Sequence, residues 1–416
     1  MLDTQVCIVG AGPGGVGTAL KLSYLGIPCV LIDKATFPRD KVCGDAISGK
    51  ISTLLNRLDP EILKRFQALS SQHVGVWGMR FVAPSNRELR LPFASNYKEL
   101  DTPPPGYVSR RIDFDHFLIE EVKRRDNIQF FEGMSIESYE QVGNNWIVRD
   151  KTGEFSVRAP LLMVANGAHS AFSRKIAGHE KDPKHHAGAV RAYFKGVKNN
   201  DKDNFIELHF LKQLVPGYFW IFPLPNGYTN VGLGMRSDIV SKKRINLRKK
   251  LLEVIESHPP FRERFEGAEL EGEIIGYGLP LGSKKRLLSG DGYLLIGDAG
   301  HLIDPLTGEG IGNAFYSGII AAELAQQCIA QQDFSASFLN AYDVRVQRVL
   351  GAEMKLSYRI QRIMSYPRVV DIVAVIIAGN QRALDVLIQM YNDLEVRRRL
   401  AQPWFWVKMF FLKKKV

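Results

Sequence analysis

Two hydrophobic periods alternate along the first 35 residues. Val6-Cys-Ile-Val9 is a short uninterrupted apolar run, followed by Gly10-Ala-Gly-Pro-Gly-Gly15, an Ala- and Leu-rich stretch reaching Gly26, and Cys29-Val-Leu-Ile-Asp33. Runs of this length, bounded by glycine, predict buried strands, and the stretch between them predicts a helix. Residues 74–98 and 186–235 instead alternate apolar and polar positions, as antiparallel sheet does, and Pro225-Asn-Gly-Tyr228 marks a tight turn between two of the strands.

Helical spacing returns in Arg111–Arg125, where Phe114, Phe117, Leu118 and Val122 fall on one face. Pro160-Leu-Leu-Met-Val-Ala165 and Gly292-Tyr-Leu-Leu-Ile296 are further buried strands. The second leads through Gly297-Asp-Ala-Gly300 and a Gly- and Pro-rich loop into a small-residue helix from about 311 to 330. Beyond residue 340 the pattern is helical. The predicted organisation is a nucleotide-binding unit assembled from 1–73, 99–185 and 276–340. It is interrupted by a sheet unit from 74–98 and 186–275, with a helical region over 341–416.

Composition narrows the class without choosing a chemistry. The 416 residues are 45% hydrophobic and 24% charged, which fits a folded chain of two or three domains. The net charge of +11 favours anionic partners. Its basic residues are scattered rather than striped, so no nucleic-acid surface is expected. Four cysteines (Cys7, Cys29, Cys43, Cys328) show no paired spacing, and the nine histidines show no ligand spacing, so neither a disulfide framework nor a metal site is expected. The start, Met1-Leu-Asp-Thr-Gln, has no basic leader region, and Gly10 and Pro13 break the apolar run that follows. The longest late apolar run, Val369–Ala378, contains Asp371 and is too short to span a bilayer. A cytoplasmic location is expected, with peripheral attachment to the inner face of the membrane.

Gly10, Gly12 and Gly15 match G-x-G-x-x-G between a strand and a helix. Gly10 permits the tight turn, Gly12 lets the backbone approach a pyrophosphate, and Gly15 lets helix and strand pack closely. Pro13 and Gly14 open the helix, whose free N–H groups suit phosphate. Asp33, with Lys34 after it, ends the second strand where a carboxylate can accept from ribose hydroxyls.

Ile296-Gly297-Asp298-Ala-Gly-His-Leu-Ile-Asp-Pro305-Leu-Thr-Gly308-Glu309-Gly310-Ile311 reads as a second ligand-touching segment, which a nicotinamide-only domain does not need. With the glycine turn and Arg111-Ile-Asp-Phe-Asp-His-Phe-Leu118, it resembles the p-hydroxybenzoate hydroxylase-type FAD superfamily, and within that the geranylgeranyl reductase family. The fold implied is α/β: a Rossmann-like FAD-binding domain of three layers (ββα), interrupted by an antiparallel-sheet substrate domain, with C-terminal helices. The resemblance implies that FAD is the cofactor, that Asp298 binds its ribityl and pyrophosphate part, and that Arg111 contacts it. Gly297, Pro305, Gly308, Gly310 and Ile311 would lie along the flavin.

Lys41-Val-Cys43-Gly44-Asp45 resembles the cysteine segment of the same family, which places Cys43 on the substrate side of the flavin; the plainer reading is a small buried residue. Pro216-Gly-Tyr218-Phe-Trp220-Ile-Phe222-Pro223 is similar to the family's Y-x-W-x-F-P signature, although Pro216 stands one residue nearer the tyrosine. On a strand, Tyr218, Trp220 and Phe222 share one face and form either an aromatic wall for an apolar chain or ordinary sheet core.

Together these features imply reduction of carbon–carbon double bonds in a prenyl or polyene substrate, with Cys43, Asp45 and Glu309 as the candidate acids. No second glycine fingerprint follows a strand, so the electron donor is external: NAD(P)H, ferredoxin or a partner flavoprotein. Two other readings share much of this sequence. One is a flavin monooxygenase or halogenase, although Asn166 and Arg174 depart from the hydroxylase Asp-Gly motif. The other is an electron-transfer subunit feeding a partner or quinone. At the end of the chain, Trp404, Phe405, Trp406, Phe410 and Phe411, flanked by Arg397-Arg-Arg399 and Lys413-Lys-Lys415, suit an anchor on a membrane surface or a helix packed on the body.

Overall fold

Alternation within single strands decides which layer each residue joins. Val6 and Ile8 point into a core shared with helices, while Cys7 and Val9 point into a second core on the opposite side; Cys29 and Leu31 divide from Val30 and Ile32 in the same way. These strands, Val6–Val9 and Cys29–Ile32, are central in a parallel sheet of order Tyr293–Leu295, Leu161–Val164, Val6–Val9, Cys29–Ile32, Ile128–Phe131, with Ser289–Gly290 antiparallel at one edge. Burial on both faces explains why their sequences are continuous apolar runs.

In this computed structural model, residues 1–94, 96–99 and 102–378 are described. Helices Pro13–Tyr24 and Ile311–Gln331 cover one face of the parallel sheet, and the four strands Leu2–Asp3, Ser156–Ala159, Asn145–Asp150 and Ile136–Val142 cover the other. The result is the expected three-layer ββα arrangement. The aromatic and basic tail lies outside the described residues. No described helix is long and apolar enough to cross a membrane.

A seven-stranded sheet runs in the order Glu269–Pro280, His186–Lys195, Tyr228–Arg236, Tyr218–Pro223, Ile206–His209, Gly78–Val82, Glu88–Pro92. Its Phe219, Ile221, Val231 and Leu233 pack beneath helices Leu247–Ser257 and Pro259–Phe265. Alternate residues on the strand Tyr218–Pro223 face the other way, with Trp220 and Phe222 joining Val76, Phe93 and Tyr193.

Two boundaries drawn from the sequence shift. Gly276–Pro280 belongs to the large sheet, because the strand pairs without a break in sheet membership from Lys195↔Glu269 to His186↔Pro280. Its glycines hid that continuity from the apolar pattern. Conversely, His73–Val76 does not join that sheet. It pairs with Gly106–Ser109, which also pairs with Ala46–Ile47, in a small sheet of its own.

The chain then runs through Ala336–Val346, a π-helical turn at Gln347–Gly351, Ala352–Ile363 and Pro367–Ala378. Val370, Ala374 and Ile377 on the helix Pro367–Ala378 pack with Ala83, Leu89, Phe210 and Val215. The late helices therefore close over the open face of the seven-stranded sheet.

Candidate active site

The glycine turn is held by steric necessity. Gly10 has φ +106°, and a Cβ there would lie 2.4 Å from Ala165 O. A Cβ on Gly15 would lie 1.8 Å from Gly10 O, so the helix can approach the strand this closely only with glycine. Asp33 braces the turn from the next strand: Oδ2 accepts from Ala11 N at 2.7 Å and Oδ1 from Ala35 N at 2.8 Å. Lys34 is exposed.

Gly12 differs from its neighbours. A Cβ there would meet no protein atom within 4 Å, because Gly12 faces a cavity of about 1320 Å³. That exceeds the roughly 300–1,000 Å³ of pockets for drug-sized ligands, so it has room for a dinucleotide's reactive end and a second ligand. The open cradle, the free helix N-terminus after Pro13 and the nearby Asp298 carboxylate fit FAD.

From Gly12, Pro13 and Gly14 the cavity passes Cys43, Arg111 and Asp298. It continues along Pro305, Gly308, Glu309, Gly310 and Ile311 to Tyr218, Trp220 and Phe222. The structure thus brings together on one surface most of the residues singled out from the sequence. Gly10, Gly15, Asp33 and Gly297 support that surface from behind. Gly297, with φ +60°, donates its N–H to Ser317 Oγ at 3.1 Å.

Asp45 is the main departure. It does not line the cavity; it is fully buried behind the Cys43–Gly44 segment, with φ +65°. Its Oδ2 accepts from Tyr193 Oη at 2.7 Å and Asn230 Nδ2 at 2.8 Å, while Oδ1 has no partner. Asn230 Nδ2 also donates to Cys43 O at 2.9 Å, and its Oδ1 accepts from Trp220 Nε1 at 2.8 Å. Burial pushes the Asp45 carboxyl up to about 6, against the hydrogen bonds from Asn230 and Tyr193 and the charges of Arg191 and Arg111. Asp45 therefore positions the cysteine loop rather than facing a substrate. The sequence missed this because the αL turn carries the side chain away from the surface Cys43 reaches.

Two candidate acids do line the cavity. Burial pushes the Cys43 thiol above its ordinary value, with Arg111 acting in the opposite direction. Burial likewise raises Glu309, opposed by Lys50 and by the Gly312 N–H that its Oε1 accepts at 2.6 Å.

Arg111 lines the cavity, yet its guanidinium is committed to Asp115, with Nε and Nη2 at 2.7 and 2.6 Å from the two carboxylate oxygens. Arg39 Nη1 adds a third bond to Asp115 at 2.6 Å. Burial disfavours the charged form of Asp115, but Arg111 and Arg39 outweigh it and hold the carboxyl below the usual range. The i, i+4 spacing of Arg111 and Asp115 on a helix could have revealed this pair.

The loop Pro305–Gly310 is tied from two sides. Tyr218 Oη donates to Thr307 O, and Gln361 Nε2 donates to Pro305 O. The second tie comes from the helix Ala352–Ile363, and Ile360, Met364, Val370 and Ile377 complete the apolar wall opposite the sheet. No motif marked these residues, because their role depends on where the helices pack.

Comparison with known proteins agrees with this geometry. The pattern of the family described as FAD binding domain matches residues 3–230. Digeranylgeranylglycerophospholipid reductase 2 of Methanopyrus kandleri is 28% identical over 370 residues, covering 88% of this chain and 87% of its own. Menaquinone reductase of Mycobacterium tuberculosis is 26% identical over 415 residues, with 97% and 95% covered. Among solved structures, a geranylgeranyl bacteriochlorophyll reductase-like protein from Thermoplasma acidophilum superposes with a TM-score of 0.79 at 23% identity, covering 91% of this chain and 92% of its own. A halogenase in complex with phloroglucinol and FAD superposes with a TM-score of 0.72 at 19% identity, with 94% and 83% covered. Both share the fold. A cradle left open by Gly12 at one end of so long a cavity is what a dinucleotide with a redox-active ring needs, and this chain belongs to the FAD binding domain family as an FAD-dependent oxidoreductase similar to the geranylgeranyl reductases.

Proposed function

We propose that the protein saturates carbon–carbon double bonds in the prenyl or polyene chain of a lipid. The observation that carries this reading is the continuity of the cavity. One surface runs from the Gly12 cradle past Cys43 and Pro305–Gly310 into an arm walled by Tyr218, Trp220, Phe222, Phe81, Leu208 and Phe210 on the sheet, with Ile360, Met364, Val370 and Ile377 opposite. Such an arm suits an extended apolar chain. The names of the two reductases above point to substrates with such chains.

Bound FAD supplies hydride equivalents in its reduced form. The residues of this chain supply the rest. Gly12, Pro13 and Asp298 hold the cofactor, and the tied Pro305–Gly310 loop orients the reactive end. An isolated alkene accepts hydride only when a proton arrives with it, so the site must hold an acid and exclude water. The aromatic and aliphatic walls exclude water. Cys43 Sγ holds the proton: burial keeps the thiol neutral, and Asn230 fixes its loop through Cys43 O.

The test is anaerobic turnover of prenyl lipids by the dithionite-reduced protein, read by mass spectrometry. A gain of two hydrogens per double bond supports the reading. A hydroxylated or halogenated product formed only in oxygen would replace it with the monooxygenase or halogenase reading, and electron delivery to quinone without chain saturation would replace it with the electron-transfer reading.

A further inference from the structure

The helix Pro367–Ala378 is apolar on two opposite sides. Val370, Ala374 and Ile377 are buried, while Ile372 and Val375 face the opposite way and are 57% and 48% exposed, with Arg368 at the N-terminal end of that side. A helix lying on a protein in water normally turns a polar stripe outward, and one that is apolar on both sides has a nonaqueous neighbour on each. Just before it, Ile363 and Tyr366 are 52% and 66% exposed.

The same segment forms the rim of the cavity. Arg359, Ile363, Val373 and Ile376 all line it, and Val373 is 39% exposed, so the apolar arm opens where the apolar surface is. Arg359, Arg362 and Arg368 are exposed there and form no ion pair among the described residues. The acid on this helix, Asp371, is engaged: its Oδ1 accepts from Ser85 N at 2.7 Å. The rim is therefore apolar and positively charged.

We propose that this face, centred on Ile363, Tyr366, Ile372 and Val375 and ringed by Arg359, Arg362 and Arg368, docks on the surface of an anionic lipid bilayer. The substrate's chain then enters the cavity without crossing water. The 12 described residues of the helix are too few to cross the bilayer, and they lie in its interface with the arginines at headgroup level. This inference rests on the lipid-substrate reading above. It follows because exposing each methylene of a chain to water is unfavourable, so a cavity for such a chain works best with its mouth against the bilayer.

The experiment uses the full-length flavin-loaded protein and flotation with vesicles of phosphatidylcholine containing phosphatidylglycerol, beside vesicles of phosphatidylcholine alone. The expected result is binding to the anionic vesicles, weakened about tenfold or more by the double substitution Ile372→Asp/Val375→Asp and by Arg362→Glu/Arg368→Glu. Both pairs are exposed, and retained flavin absorbance and melting temperature confirm folding. A second readout places an environment-sensitive fluorophore on Ile372→Cys, whose emission shifts to the blue on adding anionic vesicles. Flotation equal to wild type in both double variants overturns the inference. So does emission already blue-shifted and unmoved by vesicles, which means that another part of the chain or a second copy covers the face. Turnover of detergent-dispersed substrate separates the two readings: it survives in the docking variants if only docking is lost, and it is absent from the wild type if the substrate reading is wrong.

Discussion

Asn230 Nδ2 lies 2.8 Å from Asp45 Oδ2, a bond between residues 185 apart in sequence. The same amide holds Cys43 O and accepts from Trp220 Nε1, so one asparagine links the cysteine loop, a buried carboxyl and the aromatic strand. Displacing any of these displaces the cavity wall that Cys43 and Trp220 form.

Asp45 makes stability depend on pH in an unusual direction. Its folded value, about 6, stands above the ordinary 3.8, so the folded protein binds the extra proton between those values. This contribution therefore falls as pH rises through that window, and at neutral pH the buried charge costs about 3 kcal/mol at roughly 1.4 kcal/mol per unit. Asp45→Asn should gain on the wild type by up to that amount as pH is raised from 4 to 7. Urea unfolding at several pH values checks this; parallel curves for the two proteins would show that the carboxyl is not the source.

Arg111 and Asp115 form a buried pair, and removing one partner leaves the other charged and unsatisfied. Asp115→Ala should cost about 3–5 kcal/mol of stability. Asp115→Asn, which keeps an acceptor for Arg111, should cost less. Equal losses in the two variants would count against the pairing.

Gly12 and Gly15 should fail in different ways. Gly15→Ala puts a Cβ against Gly10 O, and the misfit should destabilise the flavin-free protein by about 1–3 kcal/mol or more. Gly12→Ala meets no protein atom and, as an N-cap change from glycine to alanine, should cost about 0.5–1 kcal/mol. Its flavin affinity should nevertheless fall about tenfold or more, because the Cβ fills the cradle where the backbone meets the pyrophosphate. Titration of each variant with FAD, beside its unfolding curve, separates the two effects.

Cys43→Ala should lower the turnover rate about 10²–10⁴-fold while leaving the flavin content unchanged, and Cys43→Ser should recover part of the loss. Because burial holds the thiol above its ordinary 9.0, wild-type turnover should show no loss from Cys43 ionisation up to that pH. A decline centred below it that vanishes in Cys43→Ser would mean the thiol ionises more readily than its burial implies.

Several features were legible because they are local. A side chain on Gly10 or Gly15 would collide with atoms a few residues away or beside the adjoining strand, so the fingerprint carries its own steric explanation. The alternation Tyr218, Trp220, Phe222 reported the cavity face correctly because a strand's side-chain period is fixed by its backbone. The strand Glu269–Pro280 was cut short because Gly276 and Gly278 carry no apolar side chain to extend the pattern. Asp45 stands beside Cys43 in sequence as a candidate acid, but nothing nearby announces the αL turn that carries its side chain off the cavity.

The sequence by itself determined the strands and helices of the nucleotide-binding layers, the dinucleotide turn and the aromatic strand, since each depends on neighbours within a few residues or one sheet register. Only the tertiary structure decided that Tyr193 and Asn230 converge on Asp45, and that residues 349–377 form the far wall and rim of the cavity. Those relationships arise when separate apolar faces bury one another, and no short-range period records which distant face a helix will meet.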